Sequence, residues 1–206
     1  RHLYQKAGLL LALGGQVGFN EARLNKLSQA EGSAKTLADS WRERGEKVLE
    51  SLTGAFSLCI LNEDKHEAIL AIDRMGIHPL SFQISGGGLV FGSSADAMIL
   101  HPRVKVEIAP QSLYNYVYFH MVPGPSTIYK GQERLLPGDY LIYRKDRVET
   151  HKYWAMRFLE DEKRPFQEIK QDFLGLLRSS VRGAIAVEEV GAFLSGGTER
   201  STIAGM

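Results

Sequence analysis

Cysteine is nearly missing from this chain: Cys59 is the only one in 206 residues. A lone thiol excludes an internal disulfide and any metal site built from several thiolates. Charge of one sign is also missing, because 25 Lys and Arg oppose 24 Asp and Glu for a formal net charge of +1. The cations are dispersed. They form no basic stripe for nucleic acid and no polybasic amphipathic helix for a membrane surface. No apolar run approaches the roughly 20 residues of a membrane-spanning helix, and Arg1-His2 leads into mixed sequence rather than a signal peptide. The six histidines show no metal-ligand spacing, and no internal repeat or low-complexity segment is present. Nucleic acid, membrane and metal are therefore not expected partners, and a cytoplasmic location is the default expectation.

What remains is an ordinary globular composition, 44% hydrophobic and 24% charged. Leu9–Leu13 reads as a buried strand stopped by Gly14-Gly15. Asn20 suits the N-cap of a short helix through Leu27, and Ser33 that of a second helix. Leu37, Trp41, Val48, Leu49 and Leu52 form the apolar face of this second helix, and Gly45 breaks it in two. From Gly54 to Ser94 the pattern is a run of antiparallel strands, with hairpin turns at Asn62–Lys65 and Ser85–Gly88. "AFSLCIL" is apolar throughout instead of alternating, which predicts a strand covered on both faces.

Short helices are expected over Ser94–Leu100 and Pro110–Phe119, the second opening on a favourable Pro. Its "YNYVYF" cluster is expected to pack into the core. Strands follow at Tyr140–Tyr143 and in "RVETHKYW", then the charged linker "LEDEKRP". Phe166, Ile169, Phe173, Leu176, Leu177, Val181 and Ile185 recur at helical spacing. An apolar strand, Val190–Leu194, then runs into "SGGTERS", where glycines before a helix N-terminus suit a phosphate cradle. A run of strands followed by a helix–strand–glycine loop–helix unit predicts two folds joined near residue 160.

Five segments, taken in order, resemble the asparagine synthetase family of glutamine-dependent, ATP-using amide ligases. "AIDRMGIHPLSF" is similar to that family's Arg-Asp-x-x-Gly-x-x-Pro-Leu segment, matching at Asp73, Arg74, Gly76, Pro79 and Leu80. "LVFGSSADAMILHP", "VPGPSTIYKGQERLLPGDYLIY" and "HKYW" resemble the segments that follow it. "GAFLSGG" resembles the start of the family's synthetase domain. The resemblance implies an α+β fold with an N-terminal-nucleophile-type four-layer αββα sandwich, followed by the beginning of an α/β nucleotide-binding domain. The expected boundaries are 1–158 for a class II glutamine amidotransferase-like domain with an incomplete N-terminus, and 165–206 for a truncated start of the ATP-binding domain.

The resemblance also implies chemistry. Glutamine hydrolysis in the family uses an N-terminal Cys whose own α-amine is the base, and residue 1 here is Arg. Cys59, mid-strand, reads as a small buried hydrophobe. Gly14, Gly15 and Gln16 fall on the family's Asn-Gly-Glu oxyanion stretch, without the Asn donor. Ser33 falls about where an acidic residue would hold the substrate's amino group. These four form a vestigial glutamine site. Asp73 and Arg74 read as a buried ion pair fixing the turn at Gly76. At the other end Ser195, Gly196, Gly197 and Ser201 match the family's pyrophosphate loop, with Thr198 between them. Glu199 stands where Asp is expected and Arg200 where Ser is expected.

The expected function is part of an asparagine synthetase-like ATP-dependent ligase with a degraded or incomplete glutaminase site and no catalytic residue of its own in this chain. Its parent protein would use ATP and Mg²⁺ with glutamine and a carboxylate, in asparagine biosynthesis or a variant such as an amine-using synthetase, and a homodimer is left open. The alternative reading is a non-catalytic pseudo-amidotransferase scaffold or dimerisation domain. A standalone N-terminal-nucleophile hydrolase is disfavoured by Arg1.

Overall fold

The computed structural model describes residues 2–158, 163–185 and 190–206. The chain divides into two compact units, Arg1–Met156 and Arg157–Met206. Among the described residues, no helix is long and apolar enough to cross a membrane.

The first unit is built on a six-stranded antiparallel sheet in the order β1-β2-β5-β6-β10-β11. Its strands are β1 (Leu3–Lys6), β2 (Leu9–Gly15), β5 (Phe56–Asn62), β6 (Glu67–Ile72), β10 (Asp139–Arg144) and β11 (Arg147–Lys152). A three-stranded sheet holds β7 (Ser81–Ser85), β8 (Gly88–Gly92) and β9 (Glu133–Arg134), and a two-stranded ribbon joins β3 (Gly18–Phe19) to β4 (Leu52–Thr53). Both expected hairpins form: β5 turns into β6, and Gly86-Gly87, with φ of +58° and +69°, turns β7 into β8. Strand β1 was not anticipated, because its polar Tyr4-Gln5-Lys6 carries no buried periodicity. It edges the sheet on the exposed side.

The apolar strand β5 is covered on both faces, as its composition predicts. On one side Leu58 and Ile60 join Leu11, Leu13 and Ile69 beneath two helices, α1 (Ala22–Glu31) and α2 (Ser33–Arg44), and a 3₁₀ turn over Gly45–Ser51. Leu24, Leu37, Trp41, Val48 and Leu49 fill that layer. On the other side Cys59, Leu70, Ile72 and Leu141 meet Leu80 and Phe82 of the second sheet. Helix α3 (Ala95–Met98), capped by Ser94 Oγ accepting from the Ala97 N–H at 3.1 Å, lies on β7 and β8. Helices, sheet, sheet and helix give the αββα layering that the resemblance implies.

Two local expectations change. Asn20 does not cap α1; its N–H and side-chain amide go to the Ser51 and Glu50 carbonyls, and Glu21 is the N-cap. Ser33 opens α2 but does not cap it, because its hydroxyl is taken by Ser28 Oγ and the Val17 carbonyl.

Asp73 and Arg74 are not an ion pair. Asp73 is 1% exposed, and its carboxylate accepts four backbone N–H groups: Phe56 at 3.2 Å, Met75 at 2.9 Å, Ile77 at 3.1 Å and His78 at 3.0 Å. Burial pushes this carboxyl up, and the four donated bonds outweigh it, so it sits below its ordinary value. Arg74 turns away, donating to the Glu50 carbonyl at 3.0 Å and lying 5.8 Å from the centre of the Trp154 ring. Backbone amides win because the turn converges them on the carboxylate, while the Arg74 side chain is held by the Glu50 carbonyl and the Trp154 ring.

Helix α4 (Pro110–Phe119) forms where expected, yet its aromatic residues are outside the core. Tyr114, Tyr116, Tyr118 and Phe119 are all more than half exposed. Only Ser112 of this helix is buried. The spacing gave the helix correctly, but periodicity does not say which face the body will cover.

The second unit contains α5 (Phe166–Ala184) and α6 (Thr198–Ala204), neither with a buried residue. Val190–Leu194 is not a strand. Among the described residues, this unit offers no other strand, and a lone extended segment has no ladder to satisfy its N–H and C=O groups. Residues 159–162 of the expected linker lie outside the described residues.

Removing the Asp73 carboxylate leaves buried donors unmatched. Asp73→Ala should cost about 3 kcal/mol or more in urea unfolding at neutral pH, and Asp73→Asn somewhat less, since its single amide oxygen serves fewer donors. The depressed folded-state pKa means this stabilisation is present above the unfolded-state value and lost as pH falls through the folded one. The gap between wild type and Asp73→Asn should therefore close below about pH 4. A gap unchanged into acid would contradict the assignment.

Candidate functional site

The expected glutamine-site residues gather at the end of β2. Gly14 and Gly15 are its last two residues, paired with Ser57 and Phe56 of β5. Gln16 follows, exposed, with its N–H donated to the Ala55 carbonyl at 2.8 Å. Ser33 joins them through its 3.3 Å hydrogen bond to the Val17 carbonyl. Residues separated by some twenty positions in sequence thus share one corner.

That corner is tightly packed. A Cβ on Gly14 would lie 2.7 Å from Ser57 Oγ, so an Asn there has no room unless the Ser57 side chain moves. Gly15 has a φ of +77°, and a Cβ would meet the Ala55 carbonyl oxygen at 2.3 Å and His78 Nε2 at 2.5 Å. A hydroxyl and an imidazole stand against the two glycines. His78 is held there by its backbone N–H on Asp73, and sequence reasoning missed it. The signal available was its place in the turn-forming Gly-x-x-Pro-Leu stretch, read only as a turn.

The segments that carried the resemblance converge beside this corner. Gly76 (φ +67°) packs against the Pro137 ring, the Gly138 N–H donates to the Asp73 carbonyl at 3.1 Å, and the Trp154 carbonyl closes on Gly138 (φ +74°). Tyr153 Oη donates to the Ile72 carbonyl at 2.7 Å, and burial raises its pKa. Cys59 is 7% exposed, between Ala12 and Leu70 in the sheet, and burial pushes its thiol up to about 12. A thiol held protonated among apolar side chains is no nucleophile at neutral pH. Among the described residues, no cluster of His, Cys, Asp and Glu could hold a metal ion.

In the second unit, Ser195 to Ser201 are brought together by sequence adjacency at the start of α6. Gly196 has a φ of +77°, and Gly197 is the N-cap. Glu199 Oε2 lies 3.4 Å from where a Cβ on Gly197 would stand, and Ser195 Oγ 3.6 Å from it. Arg200 lines an apolar hollow of about 660 Å³ with Phe193 and Ile203. Thr198 and Ser201 are exposed. A carboxylate faces the loop glycine, and no step is routed through this loop.

Comparison with known proteins decides the family. Residues 12–154 match the glutamine amidotransferase domain family, more than half of the chain. The chain belongs to the glutamine amidotransferase domain family. Asparagine synthetase 3 (glutamine-hydrolyzing) of Bacillus subtilis is 27% identical over 196 residues, 90% of this chain and 31% of that protein. Putative asparagine synthetase 2 (glutamine-hydrolyzing) of Methanocaldococcus jannaschii is 23% identical over 212 residues, 98% of this chain and 40% of that protein. A solved structure described as the allosteric regulatory enzyme of purine biosynthesis aligns at a TM-score of 0.45 and 19% identity, covering 75% of this chain and 31% of that one. The chain therefore spans well under half the length of these two curated relatives.

Two measurements test this corner of the amidotransferase domain. Gly15→Ala must strain a positive φ and displace either a carbonyl or the His78 ring, so thermal or urea unfolding should show a loss of about 2 kcal/mol or more. A neutral result would mean the packing is looser than described. Cys59 should react slowly with a thiol reagent in the native state and at the ordinary rate in denaturant. Fast stoichiometric labelling of folded protein would overturn its buried assignment.

Proposed function

We propose that this chain is the amidotransferase portion, with the first elements of the synthetase portion, of an asparagine synthetase-like ATP-dependent amide-forming ligase, and that its glutaminase site is degraded or incomplete. In that reading the parent protein activates a carboxylate with ATP and Mg²⁺ in the cytoplasm and joins it to ammonia or an amine. The observation that carries the ligase part is the alignment of glutamine-hydrolyzing asparagine synthetases along 90% and 98% of this chain, beyond the amidotransferase domain and into residues 157–206. The degraded site rests on geometry. Gly14 stands against Ser57 where an amide donor belongs, uncharged Ser33 spends its hydroxyl on Val17 and Ser28, and the lone thiol is buried and protonated.

A glutaminase needs a thiolate beside donors that stabilise the developing oxyanion. This polypeptide sets a backbone corner in place but brings no thiolate to it. Incubated with glutamine, the 206-residue chain should release no ammonia above a heat-denatured control. Turnover that disappears in Cys59→Ala would sink the proposal.

A further inference from the structure

The outer face of the second sheet carries a groove that the glutamine corner does not use. It measures about 590 Å³, and Pro79, Leu113, Met121, Val122 and Ile128 give it apolar walls. Small-molecule sites run from roughly 300 to 1,000 Å³ and set a few convergent polar groups among such walls. Ser81, Asp96 and Arg134 are the groups here.

Sheet register brings two of them together. Side chains alternate along β7, so Phe82 joins the core while Ser81 faces the groove. Ser81 stands opposite Arg134 of β9, which sets both on one face as a cross-strand pair. Ser81 is 5% exposed, and its hydroxyl forms no hydrogen bond among the described residues. Arg134 is fixed by donating from Nε to the Ser126 carbonyl at 3.1 Å and from Nη2 to the Val122 carbonyl. Asp96 of α3 accepts from Tyr129 Oη at 2.7 Å through one oxygen and keeps the other free. Neither Arg134 nor Asp96 forms an ion pair among the described residues. One apolar hollow therefore carries a cation and an anion that are too far apart to neutralise each other.

We propose that this groove binds a free α-amino acid with an apolar side chain. Its carboxylate lies on Arg134 and the Ser81 hydroxyl, its ammonium on Asp96, and its side chain against Pro79, Met121 and Val122. Charge and wall together select this occupant. Arg134 keeps N–H groups beyond the two it spends on carbonyls, and a carboxylate is their strongest partner. An apolar acid without an amine would leave the Asp96 charge unmatched. An amine without a carboxylate would leave Arg134 and the buried Ser81 hydroxyl unmatched. A zwitterion meets all three groups, whereas within a peptide no single residue carries both terminal charges. Glutamine or aspartate would have to strip water from a polar side chain against aliphatic walls. The inference does not depend on the ligase reading.

Titration calorimetry of the 206-residue chain tests it, with circular dichroism to confirm folding. At least one of leucine and phenylalanine should bind with a Kd of about 1 mM or tighter. Its amide, which lacks the carboxylate, and its N-acetyl form, which lacks the ammonium, should each bind about 10-fold more weakly or worse, as should glutamine. Asp96→Asn, at an exposed position, removes the charge and leaves an oxygen for Tyr129. It should weaken the amino acid about 10-fold and leave the N-acetyl form unchanged. A chain that binds neither amino acid overturns the proposal. So does an amide, an N-acetyl form or glutamine that binds as tightly as the amino acid, or an Asp96→Asn chain with unaltered affinity for it.

Discussion

One buried carboxylate organises the amidotransferase domain. Asp73 stands where the central strand β6 ends and the chain must turn toward the second sheet. Its two oxygens collect N–H groups from Met75, Ile77 and His78 in the turn and from Phe56 on the neighbouring strand. Desolvating a charge is costly unless every lone pair finds a donor, and here four donors are fixed by backbone alone. The same residue's own N–H and carbonyl bind Phe56 and Gly138. Strand end, turn and the Pro137-Gly138 approach to β10 are thereby locked to a single point.

The candidate site inherits its shape from that point. His78 reaches Gly15 because its backbone is pinned to Asp73, and Phe56, pinned by the same carboxylate, is the partner of Gly15 in the ladder. Crowding adds to conformation at these glycines: Gly15 combines a positive φ with a carbonyl and an imidazole where a Cβ would stand, and Gly14 faces the Ser57 hydroxyl. A corner that in a working glutaminase has to admit substrate is here occupied by a hydroxyl and an imidazole. The corner is one packed unit, and an Asn at Gly14 would require the Ser57 hydroxyl to move aside.

Much of the first unit was legible in its sequence. Hairpin turns, the doubly covered β5 and the Pro-initiated α4, and in the second unit the long α5, all follow from local chemistry: glycine at positive φ, continuous apolar runs and 3.6-residue spacing. Where reading failed, a competing partner lay far away in sequence. Asn20 and Ser33 looked like caps until Ser51, Glu50 and Val17 claimed their polar groups. Asp73 looked paired to Arg74 until the turn's amides reached it first. Val190–Leu194 had strand composition without a neighbouring strand.

By itself, then, the sequence determined most helices and strands of the first unit and the family, because ordered turn motifs and apolar periodicities are written in neighbouring residues. Tertiary structure alone decided which donors satisfy Asp73, what stands against Gly14 and Gly15, how far Cys59 is withdrawn from reaction, and that the aromatic residues of α4 stay outside the core. Each of these depends on what another segment brings within a few ångströms, and local sequence fixes a residue's preference without fixing its neighbour.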